Sequence, residues 1–126
     1  MVGEVKSFRD LVMWQKAHKL FLSTVKDVAK FPRSTVGRMV GDQLLRAVSS
    51  ISANIAEGYG RHKGREFQHY LTMARGSTAE AQNWLINCKE LGFMDEATFE
   101  ERFRVCEEII SMINSTLSSL RRREVT

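Results

Sequence analysis

Residues 43–61 read QLLRAVSSISANIAEGYGR, and the order of apolar, polar and small residues in this stretch decides the fold. With successive residues about 100° apart on a helix, Leu44, Ala47, Val48, Ile51 and Ile55 form one apolar face, which Val40 extends upstream. Gln43, Arg46, Ser50, Asn54 and Glu57 line up beside it. The remaining side carries Leu45, Ser49, Ser52, Ala53 and Ala56. Small residues away from the core face let another backbone approach closely, so this helix is expected to have neighbours on more than one flank. That points to an assembly.

Three more helical patterns surround this segment, with no strand-like alternation between them. The first is expected from about Asp10 to Ala29, entered through a capping-box-like Ser7 and Asp10 and blocked at its end by Phe31-Pro32. Its expected buried stripe is Leu11, Trp14, Ala17, Phe21, Val25 and Val28. Ser34 or Thr35 can cap the second helix, and Gly58 and Gly60 are expected to end it in the left-handed backbone region. The third starts near Gly64, presents Phe67, Tyr70, Leu71, Ala74, Ala81, Leu85 and Cys88, and closes at Gly92. Gly76, with Ser77 beside it, is expected to serve close helix packing. The fourth begins at Asp95, and Phe99, Phe103, Cys106, Ile110, Ile113, Leu117 and Leu120 alternate four-three spacing, with Ile109 and Met112 widening the seam. Such a heptad seam with short connections predicts an all-α, antiparallel up-down-up-down four-helix bundle. One domain is expected over residues 1–126, with short flexible termini at about 1–7 and a basic tail at about 121–126.

A chain of 126 residues that is 43% hydrophobic suits a single core. No apolar run approaches a membrane span and no signal-peptide segment opens the chain, so a cytoplasmic protein is expected. Cys88 and Cys106 lie on apolar faces without the spacing of a zinc or redox site and read as reduced core thiols. Net charge is +4, unevenly spread. Residues 1–75 hold 13 basic and six acidic side chains, residues 76–126 six and nine. A basic half favours an anionic partner such as nucleic acid.

Four blocks in this order carry a family resemblance: FRDLVMWQKAHKL from Phe8, Phe31-Pro32, QLLRAVSSISANIAEG from Gln43, and FQHYLTMARGSTAEAQNWL from Phe67. From Phe8 to about Leu120 the chain resembles the bacterial four-helix-bundle proteins encoded by intervening sequences in large-subunit (23S) ribosomal RNA genes. That fold family is similar to the accessory variability proteins of diversity-generating retroelements. The resemblance implies a homopentamer arranged as a barrel, and a role with structured RNA or an RNA–protein complex such as a reverse transcriptase.

The glycine-rich GYGRHKG loop follows a helix, and its spacing matches neither the dinucleotide nor the Walker phosphate loop, so nucleotide binding of that kind is not expected. Arg61, His62, Lys63 and Arg65 instead put positive charge on a turn, and Lys16, Lys19, Lys26 and Lys30 form a stripe roughly opposite Trp14 and Phe21. Arg33, Arg38 and Arg75 add to the basic half. Together these residues are the candidate nucleic-acid contacts, with RNA favoured over DNA. The Gln43, Arg46, Ser50, Asn54, Glu57 line lacks a histidine and an activated nucleophile. It reads, with Ser49, Ser52 and Ala53, as a structural polar network or subunit interface. His18, His62 and His69 share no ligand spacing with each other or with the cysteines, so no metal or other cofactor is expected. A non-enzymatic binding protein is the expectation; an oligomeric scaffold meeting an acidic protein partner is the alternative.

Overall fold

The computed structural model describes residues 4–61 and 64–125. Four α-helices follow a short 3-10 helix at Phe8–Asp10: α1 Val12–Val28, α2 Thr35–Arg61, α3 Gly64–Glu90 and α4 Glu96–Val125. Each helix packs against two neighbours, in the cyclic order α1, α2, α3, α4. Contacts along the seams fix the directions. Lys16 meets Glu108 while Asp27 meets Arg102, so α1 and α4 are antiparallel; Arg75 meets Asn114 while Lys89 meets Glu96, so α3 and α4 are too. The bundle is up-down-up-down.

The start of α1 differs from expectation. Ser7 and Asp10 do form a capping box, with Asp10 accepting from the backbone N–H groups of Lys6 and Ser7. They cap the 3-10 turn, however, and an extended Leu11 separates it from α1. The line facing the core is Met13, Ala17, Leu20 and Thr24, one step round from the expected stripe. Trp14, Phe21 and Val28 pack at its edge, and Val25 is exposed. A threonine can join such a line because its hydroxyl is satisfied within the helix: Thr24 donates to the Leu20 carbonyl at 2.7 Å, and the buried Thr78 of α3 donates to Ala74 at 2.7 Å.

The expected face of α2 is the core: Val40, Leu44, Ala47, Val48, Ile51 and Ile55 are all buried. Ser34 caps this helix, accepting from Gly37 N–H at 3.0 Å. The glycines near its end do not stop it. Among the described glycines only Gly92 has positive φ (76°), while Gly58 is helical and buried. A Cβ there would lie 2.7 Å from Tyr70 Cβ and 3.1 Å from Phe67 Cδ1, so Gly58 serves the close approach of α2 and α3. Gly76 is the converse. Nothing lies within 4 Å of a Cβ at that position, and within the protomer its surroundings are open rather than closely packed.

Gly92 closes α3 as expected, with its N–H on Lys89 O and the Phe93 N–H on Cys88 O, the paired bonds of a Schellman cap. Asp95 then caps α4, accepting from Thr98 N–H at 2.7 Å. In α4 the buried line is Cys106, Ile109, Ile113 and Leu117. Ile109 takes the place expected of Ile110, which is half-buried on the α3 side and borders a shallow groove with Gln82 and Asn114. The 3-4-4 spacing of this buried line follows the 3.6-residue turn of a straight helix rather than a strict seven-residue repeat. Arg121–Arg123, expected in a tail, are carried by α4, which runs to Val125. No helix among the described residues is long and apolar enough to cross a membrane.

Candidate nucleic-acid interface

Helix phase sorts the basic side chains of α1. Lys19 and Lys26 are exposed on its outer side, about two turns apart, and Lys30 is exposed in the turn that follows it. Lys16 is turned towards α4, where its Nζ lies 3.3 Å from Glu108. Glu108 also accepts from Arg104 at 2.9 Å. The hydrogen bond from Lys16, with both positive charges nearby, holds the Glu108 carboxyl below its ordinary pKa. Arg33 and Arg38 are exposed just past α1, and Arg38 donates to the Arg33 carbonyl at 3.2 Å. The structure thus groups Lys19, Lys26, Lys30, Arg33 and Arg38 along one side and one end of the bundle.

The other candidates stand elsewhere. Arg61 and Arg65 sit at the α2–α3 end, separated from Arg33 by the length of α2, about 40 Å. Arg61 pairs with Glu57 at 3.2 Å, lies 4.0 Å from Glu66, and places its guanidinium 5.2 Å from the Tyr70 ring centre. The Tyr70 phenol, more than either carboxylate, holds the Arg61 pKa above its ordinary value. Arg65 reaches Glu124 at 3.3 Å, and Arg75 donates to Asn114 at 2.7 Å. His62 and Lys63 lie outside the described residues.

The polar line of α2 bonds along its own helix. Ser49 donates to the Arg46 carbonyl, Ser50 to Ala47 and Asn54 to Ser50, while Glu57 turns to Arg61. Arg46, Ser49, Ala53 and Glu57 are exposed, and Gln43, Ser50, Ser52 and Asn54 half-buried. A second surface runs along the α1–α2 seam. A Cβ at Gly41 would lie 2.8 Å from Val28, and Phe21 and Trp14 repeat the Val28 position one and two heptads earlier. Across from them Leu45, Ser52 and Ala56 continue the Gly41 side of α2. Trp14 stacks on His18 (centroids 4.8 Å, planes 9° apart) with Phe8 edge-on, and Leu22 and Val25 are 48% and 42% exposed. An apolar strip therefore flanks a small-residue strip.

Two basic residues were not legible in the sequence. Arg102 makes two bonds to Asp27, 2.7 and 3.1 Å, with side chains only 17% and 12% exposed. This pairing raises the Arg102 pKa, Asp27 being the main cause. Arg104 lies a turn away on Glu108. Both sit among the acids of residues 95–108, where a count along the chain hides them. Among the described residues no cluster of His, Cys, Asp or Glu is placed to hold a metal. Cys88 and Cys106 are buried, and burial pushes their thiols up to about 11 and about 12.

The model of the 23S rRNA-intervening sequence protein family matches residues 9–115. Among solved structures, the chain is similar to a protein of unknown function from the S23 ribosomal protein family of Bacteroides thetaiotaomicron. The two share 22% identity at a TM-score of 0.76, over 84% of this chain and 98% of that one. That likeness establishes the fold. No curated protein matches. With the family model spanning all four helices, the chain belongs to the 23S rRNA-intervening sequence protein family.

Proposed function

We propose that this protein is a non-enzymatic, homo-oligomeric RNA-binding protein of the cytoplasm. It holds structured RNA, or an RNA–protein complex such as that of a reverse transcriptase, by the phosphate backbone. The observation that carries the reading is the α1 face. Lys19, Lys26, Lys30 and Arg33 are exposed and have no ion pair among the described residues, and Arg38 joins them. Of the other candidate cations, Lys16, Arg61 and Arg65 each have a carboxylate within 4.0 Å and Arg75 is bonded to Asn114; Lys89, Arg102 and Arg104 are paired as well. Unpaired charges are the ones free to release counterions when they meet phosphate.

Self-assembly is supported by the surface flanking the α1–α2 seam, where α1 shows the half-exposed Trp14 and Phe21 and the exposed Leu22 and Val25, and α2 shows the small Ser49, Ser52, Ala53 and Ala56. Five copies, the number the family resemblance implies, would present five basic faces, and their summed contacts raise affinity without reading sequence. Light scattering on the purified chain should give a mass near five times 14.4 kDa. The binding test replaces Lys26, Lys30, Arg33 and Arg38 with Ala. Affinity for an RNA hairpin should fall, and the slope of log affinity against log salt should flatten by about 3 to 4 for each face engaged on duplex. A folded, oligomeric variant with unchanged affinity and slope defeats this reading. In that case the basic face would serve an acidic protein partner.

A further inference from the structure

A cavity of about 190 Å³ opens between α1 and α4, lined by Lys16, Lys19 and Ser23 on one wall and by Glu101, Arg102, Arg104 and Glu108 on the other. Its charges do not cancel. Four cations face two carboxylates, and every charged group except Lys19 has an opposite partner: Glu108 is held by Lys16 and Arg104, and Arg102 by Asp27, with Glu101 3.6 Å away. Lys19 has no hydrogen bond or ion pair among the described residues, and neither has the Ser23 hydroxyl. These two side chains are four residues apart, so they stand one above the other on the same side of α1. A cation and a hydroxyl at neighbouring positions, unused and backed by arginines already fixed in place, offer donors to a small anion with several oxygens.

We propose that this cavity is a seat for one phosphate group, with the Lys19 ammonium and the Ser23 hydroxyl as the groups that recognise it. The space suits the ligand: at about 30 Å³ per water, it holds a phosphate together with a few waters. Arg102 is kept from collapsing into the cavity by its two bonds to Asp27, and Arg104 and Lys16 are spaced by their shared Glu108. The walls therefore stay apart and positively biased without a ligand, which lowers the cost of ordering the site on binding. Glu101 and Glu108 limit how much negative charge can enter. Lys26 stands about 10 Å further along α1, where it can meet another phosphate of the same strand. As to the natural source of the phosphate, the inference rests on the RNA-binding reading above; as to the seat itself, it does not.

The test uses the full chain with inorganic phosphate and, separately, with an RNA hairpin. Phosphate is followed by line broadening in phosphorus NMR at constant ionic strength, and RNA by fluorescence anisotropy. The expected result is saturable phosphate binding, abolished in Lys19→Ala/Ser23→Ala and retained in Lys26→Ala/Lys30→Ala. RNA affinity should fall about tenfold in the first double variant. Ser23→Asp, which places a carboxylate in the seat, serves if the double variant loses helix content, and should abolish phosphate binding as well. Phosphate binding that is unsaturable, or equal in the parent and the folded seat variants, overturns the proposal even if RNA still binds. Saturable, Lys19-dependent phosphate binding in a chain that ignores RNA upholds the seat as a small-phosphate site and defeats the RNA-binding reading instead.

Discussion

The same substitution, glycine to alanine, should act with opposite sign at two positions separated by 18 residues. At Gly58 the new methyl carbon would sit 2.7 Å from Tyr70 Cβ, roughly 0.8 Å inside the usual carbon–carbon contact. Tyr70 Cβ is fixed to the α3 backbone and cannot swing aside, so α2 and α3 must move apart. Overpacking of this kind costs about 2–3 kcal/mol, at the upper end of its range. The gain in helix propensity offsets about 1 kcal/mol of that. Gly58→Ala should therefore destabilise by about 1–2 kcal/mol, which for a chain of this length lowers Tm by about 4–8 °C. At Gly76 nothing lies within 4 Å of the added carbon. Only the propensity gain remains there, and Gly76→Ala should raise Tm by about 2–4 °C. Thermal unfolding followed by circular dichroism measures both, at one protein concentration because assembly makes Tm concentration-dependent. A neutral or stabilising Gly58→Ala refutes the close-approach argument. A destabilising Gly76→Ala would mean that the outer face of α3 is covered, as by another subunit.

Removing the Arg102 guanidinium leaves Asp27, 12% exposed, as a poorly solvated carboxylate, so Arg102→Ala should cost about 3 kcal/mol in urea unfolding; Arg102→Lys should recover only part of it, since one ammonium cannot replace two directed bonds. With their pKa values raised to about 11 and about 12 by burial, Cys88 and Cys106 should resist a thiol reagent at pH 8 and both react once the chain is unfolded. The sign follows from the same burial: the unfolded thiols ionise near 8.5, so stability should decline as pH rises beyond that value. Asp95 has its pKa lowered chiefly by the Thr98 backbone bond, so the stability it contributes is present above about pH 4 and lost as pH falls through its lower folded value. Asp95→Ala should remove this cap, lower Tm near neutral pH, and lessen the loss of Tm between pH 5 and pH 3.

What could be read in advance was what depends on neighbours in sequence. The core face of α2 was legible because six apolar residues recur at helical spacing, and the caps at Ser34, Asp95 and Gly92 because each acts on backbone groups within a few residues of itself. Gly58 was misleading for the opposite reason. A glycine near a helix end is read as a stop, whereas its use here is set by Phe67 and Tyr70 on the next helix. Thr24 and Thr78 were missed because apolar periodicity does not register a hydroxyl that bonds back to its own helix. In α1 the apolar arc is wide, and the choice of central line fell to the small Ala17 and its companions Met13, Leu20 and Thr24 rather than to the aromatic Trp14 and Phe21.

The basic surface was legible only in outline, since a charge count treats residues as independent while folding pairs them at long range. Lys16 is neutralised by a carboxylate 92 residues away, and Asp27 is taken by an arginine 75 residues away. Such pairing removes cations from the basic half and brings Arg102 and Arg104 from the acidic half onto the lysine helix. The balance of +7 in residues 1–75 therefore overstates one surface and says nothing of its shape. Exposed ion pairs contribute little to stability, yet they decide which charges stay available to a ligand. By that criterion Arg61 and Arg65 are the weaker candidates, since a phosphate must first displace Glu57 or Glu124. Among the described residues Lys19, Lys26, Lys30 and Arg33 have no ion pair to displace, although Lys30 lies in the field of Asp95. Affinity should consequently respond most to the helix whose lysines the fold leaves unpaired.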